Sequence, residues 1–226
     1  MDFLTVVKEA SPMLFSGMGI TILVTVYALV IAFILGIAAC LMCISDSKVL
    51  NLISRFYVWV IRGTPFIVQL FIIYFGIPQL IQSLGASGFR MTSMQAAVIT
   101  LSLNAGAYMA EIFRGGIQAV DIGQMEAARS LALPKWTAMR KVILPQAVRI
   151  CIPSLGNQFI ITLKDSSLAQ VIGLAEIVYQ GKIYVGRTMQ SFSTYLLIGI
   201  FYLVLISILQ FALSKIEKRL ALGRRT

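Results

Sequence analysis

Charged residues fall in bunches along the chain, and the intervals between the bunches are apolar. No Lys, Arg, Asp or Glu lies between Glu9 and Asp46, Arg62 and Arg90, Arg90 and Glu111, or Arg187 and Lys215. About 20 mostly apolar residues carry a helix across the hydrocarbon core of a bilayer. Each interval is that long, and together they predict spans near 15–43, 57–82, 94–113 and 194–214. A fifth is less plain, because only 14 residues separate Arg149 from Lys164. If it starts at Val142 and Arg149 snorkels to the headgroups, it covers 142–163. The expectation is an all-α integral membrane domain of five transmembrane helices over residues 15–215. A segment at 1–14 precedes it outside the cytoplasm, and a basic cytoplasmic tail at 216–226 follows. No polar stretch is long enough for a separate soluble domain.

Composition agrees with the pattern. Apolar residues make up 58% of the chain and charged ones 12%, about half the charged share of a soluble domain. The net charge of +10 would point to nucleic acid in a soluble protein, but here orientation accounts for it. With the N-terminus outside, 14 of the 19 basic residues fall on cytoplasmic segments, a strong positive-inside bias. That places the chain in the cell (inner or plasma) membrane as a multi-pass protein, with lipid as a partner and no nucleic acid. The first span lacks a small-residue cleavage site after a short apolar core, so it reads as a retained helix.

The chain has no histidine, which removes Ser-His-Asp and Cys-His catalysis and every His-ligated metal site. Cys40, Cys43 and Cys151 lie in apolar surroundings and read as packing residues, with no disulfide framework.

The connection between the third and fourth spans is long and does not resemble a linker. Gly115-Gly116 is expected to end the third span. Asp121-Ile122-Gly123 then reads as a turn into a short cytoplasmic helix over about 122–133, stopped by Pro134. Its core, Glu126-Ala127-Ala128-Arg129-Ser130-Leu131-Ala132-Leu133, sets small residues beside one apolar ridge. Such a helix can lie on lipid headgroups or receive another protein's surface.

Glu126-Ala127-Ala128, Ala132 and Val142-Ile143-Leu144-Pro145 resemble the EAA signature, E-A-A-x3-G-x9-I-x-L-P, of permease subunits of type I ATP-binding cassette importers. Ala132 stands where glycine is usual and Val142 where isoleucine is usual. Further motifs resemble the polar amino-acid uptake branch (histidine, glutamine and arginine permeases). They are Arg62-Gly63-Thr64-Pro65, Asn104-Ala105-Gly106-Ala107-Tyr108 with Glu111 and Arg114-Gly115, Gly156-Asn157-Gln158, and Lys164-Asp165-Ser166-Ser167-Leu168. The resemblance covers roughly residues 15–215 and implies a MetI-like permease fold. It implies that Glu126, Ala127, Ala128, Leu131, Ala132 and Leu133 couple the chain to a cytoplasmic ATPase. It also implies a second permease subunit, identical or related, and an extracytoplasmic solute-binding protein. The sequence holds no G-x-x-x-x-G-K-[ST] loop. The chain is therefore expected to be non-catalytic and free of cofactors, with ATP and Mg on the partner subunit.

Polar residues inside spans face a cavity or a partner, because lipid does not satisfy them. The candidates for the substrate path are Thr64, Gln69, Asn104, Tyr108, Asn157, Gln158, Thr162, Lys164, Asp165 and Ser166. Each can equally serve as a hydrogen bond between helices. Pro153 and Gly156 are expected to let the fourth span open near Asn157-Gln158. No carboxylate lies between Arg149 and Lys164, which favours a neutral polar amino acid such as glutamine or cystine. A cationic amino acid, methionine or another small solute is the alternative. Lys164-Asp165 reads as a local salt bridge or as a gate. Ser166 or Ser167 is expected to cap a short helix over Leu168–Tyr179. Glu111 and Arg114, three apart, are expected to brace the coupling loop, and Arg62 near the inner mouth has the same reading, with headgroup contact as the alternative.

Overall fold

In a computed structural model, the structure describes residues 3–86 and 88–222, the side chains of 218–222 excepted. The side chains of Lys218 and Arg219, and residues 224 and 225 of the expected basic tail, lie outside what is described.

The described residues form ten α-helices joined by short turns. Helix α1 (Phe3–Ile44) is 42 residues long, about 63 Å at 1.5 Å per residue. Residues 3–14 continue the first span as one helix. The buried positions of α1 recur every three or four residues, from Val6, Ala10, Leu14, Gly17 and Thr21 to Ala32, Gly36 and Ala39. Most are small, so neighbouring backbones come close along one narrow stripe.

Helix α2 (Lys48–Gly63) turns back along α1, with the Ser54 hydroxyl donating to Ala39 O at 2.6 Å. It ends at Gly63-Thr64-Pro65, so the second span, expected as one helix over 57–82, is broken. Beyond the break come α3 (Phe66–Phe71), a π turn at Ile72–Gly76, and α4 (Ile77–Ser83).

Helix α5 (Ser93–Gln118) starts on a capping box between Thr92 and Gln95 and packs along most of α1. A Cβ on Gly36 would meet Met109 Cβ at 2.8 Å and Gly106 O at 3.2 Å. The helix runs straight through Gly115 and Gly116 to Gln118, so the paired glycines do not end it. Gly116 instead admits α8, because a side chain there would collide with Cys151 Sγ.

After α6 (Ile122–Ser130), α7 (Lys135–Ala138) and a π turn at Met139–Ile143 comes α8 (Leu144–Asp165). Helix α8 is continuous through Pro153, and Gly156 lies against Leu213 of α10. The expected opening of the fourth span is therefore absent. A 3-10 turn at Ser166–Ile172, α9 (Ile177–Thr188) and α10 (Ser191–Leu222) complete the chain.

Among the described residues, four helical stretches are long and apolar enough to cross a membrane: Phe3–Ile44, Phe66–Ser83, Ser93–Gln118 and Ser191–Glu217. Helix α8, where 142–163 was expected, has 22 residues, enough to cross by length but more polar than these four.

Candidate functional site: polar path and exposed turn

The break in the second span creates a polar need that the sequence meets. Pro65 has no N–H, and Thr64 is extended (φ −121°, ψ 145°), so carbonyls near the end of α2 lose their helical partners. The Gln69 side-chain amide supplies them, with Nε2 donating to Ile61 O at 2.7 Å and to Thr64 O and Oγ1 at 3.0 and 2.9 Å. Asn104 Nδ2 of α5 then donates to Gln69 Oε1 at 3.1 Å. Thr64, Gln69 and Asn104 thus form one cluster, holding the break open in a defined shape.

One turn beyond Asn104, the half-exposed Tyr108 ring lies under the Arg62 guanidinium, 5.2 Å from its centroid. Arg62 Nη1 is 3.4 Å from Glu111 Oε2, and Arg114 grips Glu111 through Nε and Nη2 at 3.0 and 2.7 Å. Of the two readings of Arg62, the structure shows the structural one: it joins α2 to α5 in a three-residue ionic ladder that also includes the Glu111–Arg114 pair.

The remaining path candidates lie apart from that cluster. Gln158 and Thr162 are buried on α8, with Thr162 Oγ1 donating to Gln158 O at 2.9 Å. Asn157 is exposed and, with Gly156, lines a groove of about 210 Å³ against Gln210, Ser214 and Glu217 of α10. Among the described residues no hydrogen bond joins these three to Thr64, Gln69 or Asn104. Lys164 is exposed and Asp165 half-buried, and neither takes part in the ion pairs among the described residues, which centre on Glu111. Of the two readings of this pair, the local salt bridge is therefore not formed. Ser166 and Ser167 do not cap a following helix. Their hydroxyls donate backward, to Leu163 O at 2.7 Å and Lys164 O at 2.6 Å.

The cap belongs to Glu176, a residue outside the expected site. It is fully buried, and its carboxylate accepts from Val178 N at 2.9 Å and Tyr179 N at 2.7 Å, opening α9 rather than a helix at Leu168–Tyr179. Tyr202 of α10 donates to the same carboxylate at 3.1 Å, and Thr21 of α1 accepts from Ile177 N at 3.3 Å. Burial pushes the Glu176 carboxyl up to about 6, against the lowering effect of these donors. The turn glycine Gly173, at φ +80°, was the available signal. A glutamate N-cap is uncommon enough to hide behind it.

The short helix between the long ones has a defined start and stop. Asp121 Oδ1 accepts from Gly123 N at 2.7 Å, and the helix ends at Ser130, not at Leu133 as expected. Ala132 N donates to Arg129 O at 3.0 Å and Leu133 N to Ala128 O at 3.2 Å, the paired bonds of a Schellman stop. Ala132 takes the left-handed conformation, φ +57°, that such a stop requires. The position tolerates glycine best because of this backbone shape, and close approach is a secondary reason. Glu126, Ala127 and Ala132 are exposed, Leu131 protrudes at 78% exposure, Leu133 is half-buried, and Ala128 packs inward. The bond from Gln146 Nε2 to Gln124 Oε1, 3.3 Å long, ties this turn to α8.

Residues 28–222 match the family described as "Binding-protein-dependent transport system inner membrane component". The chain is 40% identical to a probable amino-acid permease protein, YxeN, of Bacillus subtilis over 218 residues, 96% of each chain. It is 36% identical to the glutamine transport system permease protein GlnP of Escherichia coli, covering 93% of this chain and 94% of that one. To the arginine transport system permease protein ArtQ of Bacillus subtilis it is 37% identical over 97% of both. Among solved structures, a crystal structure of an amino acid ABC transporter with histidines superposes with a TM-score of 0.90. Its identity is 41%, over 97% of this chain and 99% of that one. The chain belongs to the binding-protein-dependent inner-membrane components, as a permease of the amino-acid ATP-binding cassette importers.

Proposed function

We propose that the chain carries a neutral polar amino acid into the cytoplasm by alternating access, driven by ATP hydrolysis on a partner subunit. Five spans run with the N-terminus outside, α8 serving as the fourth, so that α6 and its stop project into the cytoplasm. The observation that carries the reading is the exposed Leu131 on a capped, rigid turn between two long membrane helices. A protruding leucine beside exposed Ala127 and Ala132 is a shape another protein can grip. The tie from Gln124 to Gln146 would pass its displacement to α8. In this reading Glu126, Ala127, Leu131 and Ala132 meet the ATPase, and Ala128 and Leu133 hold the turn against the bundle. ATP and Mg belong to that partner, a second permease completes the pore, and an extracytoplasmic binding protein delivers substrate.

The preference for a neutral substrate is supported by the buried Gln158 amide on α8 and the lack of any carboxylate between Arg149 and Lys164. A cationic side chain is usually met by a carboxylate, and an amide pairs with an amide. Relatives named for glutamine and for arginine are about equally similar, so the substrate is decided by uptake. Proteoliposomes holding the assembled importer should take up glutamine in preference to arginine; the reverse order overturns the neutral assignment. Glu126→Lys should abolish substrate-stimulated ATPase activity while leaving the complex folded. Normal coupling in that variant would refute the docking surface.

A further inference from the structure

A cavity of about 390 Å³ lies between the end of α1, the middle of α2 and the end of α5, walled by Cys43, Ile44, Arg55, Glu111, Arg114 and Gln118. The reading above makes no use of it. Two guanidinium groups face it against one carboxylate. That carboxylate is already held by Arg114 in a two-bond grip and by Arg62. Arg114 spends a further N–H on Gln118 Oε1 at 2.8 Å. Arg55 takes part in neither ion pair and is exposed. The cavity therefore holds a surplus positive charge, and Arg55 is the group free to bind an anion.

The surroundings indicate which anion. Arg55 borders a stripe of α2 that stands largely exposed among the described residues: Leu52, Phe56 and Trp59, exposed at 69%, 61% and 70%. These follow one another at helical spacing, and the stripe runs beside Arg55 from about one turn before it to one turn after it. A small soluble anion has no use for such a stripe, whereas an acyl chain below a phosphate fits both parts. In the orientation proposed above, on which this step rests, the cavity lies at the cytoplasmic headgroup layer. Basic pockets between spans on that side suit anionic headgroups, and tryptophan is enriched near such interfaces.

We infer that this cavity seats the phosphate of an anionic membrane lipid on Arg55, with one acyl chain along Leu52, Phe56 and Trp59. The importer complex, exchanged into nanodiscs of mixed phosphatidylglycerol and phosphatidylcholine, can be examined for retained lipid by native mass spectrometry. The wild type should retain phosphatidylglycerol over phosphatidylcholine by about fivefold, the factor expected from one basic residue near a membrane surface. Arg55→Gln should bring the ratio to about one, Arg55→Lys should keep it, and Arg187→Gln, outside the cavity, should not alter it. Trp59→Ala should lower total retention without changing the ratio.

No preference in the wild type, or an unchanged preference in a folded Arg55→Gln complex, overturns the site. Loss of bound phosphatidylglycerol to inorganic phosphate at matched concentration overturns the lipid as its source. The readout depends on neither substrate nor coupling. If lipid is retained while uptake and ATPase stimulation fail, the transport reading falls and the lipid site stands.

Discussion

Small residues are used in opposite ways at the α1 stripe and at the turn after α5. Along α1, Gly36 and Ala32 bring the backbone onto α5, and the contacts are covered on every side. Around Ala127 and Ala132 the backbone is laid open, with a leucine standing beside it. The first arrangement leaves no room for an added side chain. The second is open because no described residue covers it. Substitutions in the first region should therefore lower global stability, and those in the second should change local order or coupling and leave global stability alone.

The largest effect is expected at Gly36. A valine there must displace Met109 Cβ and the Gly106 carbonyl, neither of which is the free end of a flexible side chain. Overpacking of this kind costs about 3 kcal/mol at the upper end of its usual range. Thermal unfolding of the detergent-solubilised chain should drop sharply, and an unchanged midpoint would show that the stripe is softer than its distances imply.

A second effect, about 2 kcal/mol, is expected for Glu176→Ala, which removes the α9 cap and leaves Tyr202 and two backbone N–H groups without their acceptor. Glu176→Gln retains a capping oxygen and should recover much of the loss. Burial raises the carboxyl to about 6 from its ordinary 4.5, so the folded state binds the proton more tightly than the unfolded one. Stability should thus fall as pH rises from 4.5 to about 6 and be flat above. The facing titratable group is Tyr202, and no Lys or Arg forms an ion pair with Glu176 among the described residues. Glu176→Gln should remove that slope.

Legibility followed the same division. Charge-free intervals showed where the long helices lie because exclusion of charge is a property of composition over some 20 residues. They did not show the break at Thr64-Pro65, although the proline was visible, because Gln69 repairs it from a distance of five residues. The polar candidates were singled out as residues needing partners. Which partner each takes depends on packing, and Thr64, Gln69 and Asn104 meet while Asn157 turns toward α10. Glu176 was missed because a lone acid between spans reads as an exposed residue, and only the close approach of Thr21 and Tyr202 makes it a junction.

The smallest effect is the most discriminating between the regions. At Ala132 the left-handed backbone places a Cβ near the following carbonyl, a strain of about 1 kcal/mol that glycine lacks. Ala132→Gly should relieve it, offset in part by the greater freedom of glycine in the unfolded chain. The Leu133 amide, bonded to Ala128 O at 3.2 Å, reports on the Schellman stop directly. Its hydrogen exchange should slow by up to about fivefold, while the global unfolding midpoint stays where it is. A midpoint that rises with the local protection would mean that the turn is as integral to the bundle as Gly36, and the contrast between covered and open small residues would fail.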